Sequence, residues 1–373
     1  MGFFSSFKSK KRDDKNSEFN IITKLTTVIN DDFSAKKALK RVLKMATPSK
    51  NGLFPHELMM LNYANSYNTN SNSFQSFWEY QYYVEDPKEL LNSLEERGFI
   101  KIGDIKNTLE NKKLSIIKED LKKYGLKVSG KKAELIDLLL GNGNLKELEA
   151  KYSERYYQLT KLGEEELKDN EYILYIHRHS NYGINVWDMN LLMNQEPKMS
   201  YRDKLWGFFN KQSEEHINKF NFGLYRNTRL EMYKFLVEEN KYKAALKFLF
   251  EVIYYDLSGL DNNEDVGDMK SISKSRLERK LENNFPYESS FLTIPPGIIS
   301  FLEESQKELN LTSKDMQRYF LESVLKYKIE SHFFTNDECG DIMLAEMEND
   351  KNKLEEIYKI AEKRLRKKLS QLK

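Results

Sequence analysis

The residues best suited to chemistry in this chain are lysines. Between Lys112 and Lys132 there are eight, at positions 112, 113, 118, 122, 123, 127, 131 and 132, against only Glu119 and Asp120. A local excess of six positive charges is the density of a segment that faces a polyanion. Each ammonium placed on a phosphate releases a condensed counterion, so such a segment would hold nucleic acid by its backbone and with steep salt dependence. The whole chain has 60 Lys and Arg against 58 Asp and Glu, a net charge of only +2. Positive charge is therefore concentrated rather than spread, and contact with a polyanion is expected at one defined place.

Other chemistry is weakly signalled. His177-Arg178-His179 has the spacing that puts two imidazoles on one face of a strand, as in some zinc sites. No further His, Cys or Glu at ligand spacing completes a set, and ordinary polar histidines are the expectation. Asp337, Glu338 and Asp341 cluster, as do Asp261, Glu264 and Asp265. A metal-dependent nuclease needs two or three carboxylates converging in space, but acids at helix starts are expected to cap. No Walker loop, G-x-G-x-x-G after a strand, H-E-x-x-H or G-x-S-x-G is present. No metal or cofactor is expected, and the reading leans away from an enzyme.

The elements that must position the lysines are legible. Ile117, Leu121 and Tyr124 recur at helical spacing and Gly125 follows as a terminator. After a turn over 126–130, Leu135, Ile136 and Leu139 mark one face of a second helix. Two short helices joined by a glycine-containing turn form a helical hairpin. Leu121, Gly125-Leu126, the Ser129-Gly130-Lys131-Lys132 turn and Ala133-Glu134-Leu135-Ile136 together resemble the SAP domain, a small DNA-binding module. The likeness covers about a tenth of the chain, roughly 112–148. Where SAP domains often carry an Arg near the end of the second helix, this chain has Leu138 and Leu139. The resemblance implies duplex DNA held mainly through phosphates. The DNA-binding residues expected from it are Lys113, Lys122, Lys123, Lys127, Ser129, Gly130, Lys131 and Lys132, with backbone N–H groups over Gly130–Lys132 aimed at an anion.

Around the hairpin a second pattern appears. Asp86-Pro87 starts a helix, with Asp as cap and Pro at the first position. That helix ends at Gly98 and runs into a strand, Phe99 to Ile102. Arg155 to Thr160 reads as another strand, and Thr160 caps a helix beginning KLGEEELKDN. A helix ending L-x-x-R-G-F-I followed by Y-Y-x-L-T-x-x-G resembles the winged-helix fold, whose two strands form the wing. The wing loop here, 103–154, would contain the whole SAP-like hairpin, because loop tips tolerate insertions. The candidate recognition helix carries Lys88, Asn92, Ser93 and Arg97, but also Glu89, Glu95 and Glu96. Scaffold and groove reader stand level as its role.

The predicted organisation is thus mainly α. A basic flexible tail spans 1–18, a winged-helix-like domain with the SAP-like insert spans 19–170, and a mostly α-helical domain spans 171–373. Helices are expected over 33–46, capped by Ser34, and from Pro55 to about Tyr67. Phe74 to Tyr83 reads as helix or strand with a core-packing aromatic face, and Tyr172 to Ile176 as a buried strand or a helix start. The Met1-Gly2 and Ser6 pattern for acylation is read as coincidence. Tyr201 to Phe220 is expected to be helical, with Leu205, Trp206 and Phe209 inward. An α-hairpin is expected around Asn240-Lys241, a polar linker or insertion over 259–286, and a helix capped by Ser313. The terminal KRLRKKLSQLK would touch DNA or complement a helix C-terminus.

Mean hydropathy of −0.71 and the lack of an 18-residue apolar run argue against a membrane-embedded body. A single Cys339 and no signal-peptide core point to a reducing cytoplasm. The Lys, Asn, Ile and Tyr content resembles AT-rich bacteria and their phages, and the chain looks similar to SAP-containing proteins of Firmicutes and their prophages. The expectation is a DNA-binding protein whose helical domain serves assembly, a homo-oligomer or a protein partner. The alternatives are a metal-dependent nuclease and a protein-interaction adaptor in phage–host conflict.

Overall fold

The computed structural model describes residues 34–195, 198–282, 285–286, 292–327 and 329–372. The tail expected over 1–18 lies outside the described residues, as does the acylation pattern. Among the described residues the fold is mainly α, with twenty α-helices and two three-residue strands. None of these helices is long and apolar enough to cross a membrane. The chain divides into two compact units between Tyr201 and Arg202.

The first unit is built around α2, Pro55–Ala64, which buries His56, Glu57, Leu58, Met59, Met60, Leu61 and Ala64. A helix apolar on nearly all sides must be covered on all sides, and α4 (Pro87–Glu96), α9 (Lys161–Asp169), α10 (Tyr172–Arg178), α11 (Val186–Gln195) and β2 (Tyr157–Leu159) cover it. Helix α1, Ala35–Leu43, lays Ala35 and Val42 against Tyr83 and Trp187. Ser34 stands at its N-cap position but makes no side-chain cap bond; Glu85 Oε1 accepts from the Lys36 amide instead, at 3.0 Å. Phe74 to Tyr83 resolves as one short helix, α3 (Phe77–Tyr80), with turns around it, and Trp78 and Tyr82 are core residues.

The Asp86-Pro87 start is as read: the Asp86 carboxylate accepts from the amides of Lys88 and Glu89 at 2.9 and 3.0 Å. Strand β1, Ile100–Ile102, pairs antiparallel with β2 in the register Ile100 to Leu159 and Ile102 to Tyr157. Thr160 then closes the junction, donating to the Gly98 carbonyl at 2.7 Å and accepting from the Gly163 amide at 3.3 Å. A Cβ on Gly163 would collide with the carbonyl oxygen of Phe99. Only glycine lets the first turn of α9 come this close to the hairpin.

The 170/171 division read from the sequence is not where the chain separates. Tyr172 to Ile176 belongs to helix α10, and tertiary bonds tie the segment to the first unit. Trp187 Nε1 donates to the Gln81 carbonyl at 3.0 Å, and Asn190 bonds both the amide and the carbonyl of Thr47.

The second unit comprises α12 (Tyr201–Asn218), α13 (Phe222–Glu238), α14 (Tyr242–Asp256), α15 (Val266–Lys270), α16 (Lys274–Glu282), α17 (Pro296–Glu308), α18 (Ser313–Val324), α19 (Asn336–Met347) and α20 (Lys351–Gln371). Helices α13 and α14 form the expected hairpin, and α14 sits at its centre with nine buried residues from Ala245 to Tyr255. The described residues of 259–286 are not a polar linker. Ile272, Leu277, Leu281 and Phe285 are buried in the main core, and the buried Arg276 guanidinium pairs with Glu264 and donates to the Gly259 carbonyl. The cap of α18 is Thr312 rather than Ser313: Thr312 Oγ1 accepts from the Asp315 amide at 3.2 Å, and the Asp315 carboxylate answers to the Thr312 amide.

Candidate nucleic-acid interface

Four short helices lie between the two strands: α5 (Ile105–Glu110), α6 (Leu114–Lys123), α7 (Lys132–Asn142) and α8 (Leu145–Lys151). The SAP-like hairpin is α6 and α7, extended on both sides beyond 112–148. The ends of this insert are held together. The Gly103 amide donates to the Tyr156 carbonyl at 2.8 Å, Thr108 Oγ1 reaches the Glu154 carbonyl, and Lys112 pairs with Glu154. The module has a core of its own: Ile105, Leu109, Ile117, Leu121, Leu135, Ile136, Leu139, Leu148 and Tyr152. Gly125 and Gly130 turn the chain between α6 and α7 at φ +66° and +144°, where a side chain would be strained.

Beneath the lysine face lies a buried carboxylate. Asp120 is only 3% exposed; Tyr152 donates its hydroxyl to one oxygen and Lys151 its ammonium to the other, at 2.5 Å. Burial and the neighbouring Asp120 push the Tyr152 hydroxyl up to about 12. One of the two acids in the basic stretch is thereby neutralised inside the module.

Seven of the eight lysines separate into two groups, and Lys118 is half-buried. Lys113, Lys122, Lys123, Lys127 and Lys131 are exposed, as are Ser129 and Gly130. Lys123 stands 3.6 Å from Glu147. Lys112 and Lys132 are committed inward: Lys112 to Glu154 and to the faces of Tyr152 and Tyr156, Lys132 through a 2.5 Å bond to the Glu110 carbonyl. The N-terminus of α7 differs from the sequence expectation as well. The Lys131 amide donates to Glu134 Oε2 at 3.2 Å, so this N–H is taken by the chain's own carboxylate. The spacing of Glu134 three residues after the cap position was the readable signal for that bond. Nothing in the pattern pointed to Asp120, Lys151 and Tyr152 meeting, since they lie on different helices.

The other candidates resolve as structure. His177 places its ring nitrogens 3.3 and 3.0 Å from the hydroxyls of Tyr63 and Tyr82 within an aromatic cluster, and burial lowers its pKa. Glu338 caps α19 with Thr335 and pairs with Arg364, while Asp341 accepts from Gln317. Glu264 pairs with Arg276, and Asp265 caps α15. Among the described residues no three His, Cys, Asp or Glu side chains gather as a metal ligand set. At the C-cap of α4, Arg97 is held by Glu57, the Gly52 carbonyl and the Phe99 ring. Compared with known proteins, the sequence matches no family model and no curated protein.

Proposed function

We propose that the protein binds duplex DNA through its phosphates, using the exposed lysines of the module inserted between β1 and β2. One observation carries this reading. The ion pairs of the module engage Lys106, Lys112, Lys123 and Lys151, whereas Lys113, Lys122, Lys127 and Lys131 take part in none of them. Ammonium groups left outward by a rigid small core, with Asp120 neutralised beneath them, suit phosphate neutralisation better than sequence readout. The likeness of α6–α7 to a SAP hairpin supports the same partner.

The surrounding hairpin and helices, similar to a winged helix, then serve as scaffold rather than reader, because Arg97 at the C-cap of α4 is spent on the buried Glu57. The second unit provides assembly or partner contacts. Fluorescence anisotropy with random-sequence duplexes tests the reading through Lys122/Lys127/Lys131→Gln. Binding to all duplexes should weaken alike, with a shallower salt dependence. Loss confined to one sequence would make base readout the correct account, and unchanged binding would remove the module from the interface.

A further inference from the structure

The first unit carries a second basic surface. Helix α1 reads AKKALKRVL, and Lys36, Lys37, Lys40, Arg41 and Lys44 follow each other along it with no acid from Ala35 to Lys50. The opposite face holds Ala35, Ala38, Leu39, Val42 and Leu43, which pack on Tyr83 and Trp187. Trp187 is itself fixed by its bond to the Gln81 carbonyl at 3.0 Å. The apolar face thus sets the rotation of the helix, and Lys36, Lys37, Lys40 and Lys44 are all exposed. Glu85 Oε1 accepts from the Lys36 amide at 3.0 Å and so caps the start of this helix.

A solvated helix face normally mixes signs, since like charges at i and i+4 repel by a few tenths of a kcal/mol per pair. Here Lys36, Lys40 and Lys44 stand at that spacing in one row, and Lys37 and Arg41 in the next. Local helix stability therefore argues against the arrangement, and an external polyanion argues for it. From Lys36 to Lys44 the helix rises about 12 Å at ~1.5 Å per residue. One strand of a duplex presents a phosphate every ~3.4 Å of axis, so the row spans about three or four phosphates.

We propose that α1 is a second phosphate-contacting surface for duplex DNA, in addition to the inserted module and in the same unit. The inference rests on the DNA-binding reading above but on different residues. Its test is salt-titrated binding of the full chain to one random-sequence duplex. Wild type is compared with Lys36/Lys37/Lys40/Lys44→Gln, the matching Lys→Arg variant, and Lys122/Lys127/Lys131→Gln. Glutamine keeps helix propensity, and circular dichroism verifies the fold. The log–log slope should fall by about two to four in the α1 glutamine variant, at ~0.9 per phosphate lost, and the arginine variant should keep the wild-type slope. An unchanged slope in the α1 glutamine variant, with a reduced slope in the module variant, would overturn the inference while leaving the module reading intact. The reverse pattern would leave α1 as the DNA surface and discard the module. A parallel arm uses vesicles of phosphatidylglycerol and phosphatidylcholine. If the α1 variant lost vesicle binding and kept its DNA slope, a membrane surface would be the partner and the inference would be wrong.

Discussion

Asp120→Asn is the sharpest probe of how the lysine face is held. The substitution preserves shape and removes charge from a side chain that is 3% exposed. The hydroxyl of Tyr152, itself 4% exposed, then donates to a neutral oxygen, and a charge-assisted hydrogen bond of ~1.5–3 kcal/mol weakens toward a neutral one. The Lys151 pair contributes less, at most ~1 kcal/mol, because that ammonium is about half exposed and solvent replaces its partner. A loss of about 2–3 kcal/mol is expected, and it should be local, since the module has its own core and joins the rest through the strand ends. Hydrogen exchange of the full chain measures this directly: amides of α6 and α7 should exchange about 30- to 150-fold faster, at ~1.4 kcal/mol per tenfold, with α2 unaffected. A double-mutant cycle with Tyr152→Phe should return a coupling of about 1–2 kcal/mol. Exchange in α6 and α7 within threefold of wild type, or acceleration equal in α2, would refute the view of Asp120 as the internal anchor of a semi-independent module.

Three further outcomes follow from the same contacts. Gly163→Ala should cost roughly 2 kcal/mol or more by overpacking α9 on the Phe99 carbonyl, and a melting temperature unchanged in calorimetry would contradict that geometry. Arg97→Ala leaves the Glu57 carboxylate, only 9% exposed, without its partner; stability to urea should fall by about 2–3 kcal/mol while the DNA salt slope stays at the wild-type value. Acid should loosen the surroundings of the buried histidines. Burial lowers the pKa of His332 to about 4, so the stability held by its neutral form is present above the ordinary value of 6.5 and lost as pH falls toward 4, about 3 kcal/mol in the second unit. In the first unit burial likewise lowers His56 to about 4, but it raises Asp188 to about 6. The Asp188 contribution is present below 3.8, is lost as pH rises through 6, and so opposes that of His56. Hydrogen exchange between pH 7 and 4 should show the amides around His332 loosening; protection there unchanged at pH 4 would contradict this assignment.

Much of this frame was legible because its signals are local. Asp86-Pro87, Thr160 with Gly163, and the two strand segments on either side of the insert each declare themselves within a few residues. Their antiparallel pairing required only that the insert's ends lie close. The lysine excess was equally plain. What stayed hidden depends on partners distant in sequence. Composition alone made 259–286 look polar, yet Ile272, Leu277, Leu281 and Phe285 are sufficient to anchor it once a core stands beside them. The later division of the chain comes from bonds such as Trp187 to Gln81, which no periodicity encodes. Thr312 outcompeted Ser313 because Asp315 completes a reciprocal cap with the former. The commitment of Lys132 to Glu110, and of the Lys131 amide to Glu134, narrowed the set of lysines available to a ligand.

The most direct measurement of the central claim is the salt dependence of duplex binding for wild type beside Lys122/Lys127/Lys131→Gln. Binding through these phosphate contacts predicts a linear fall of log affinity with log salt, shallower by about two to three in the variant and alike for unrelated sequences. No binding at low salt, or one slope for both proteins, would contradict it.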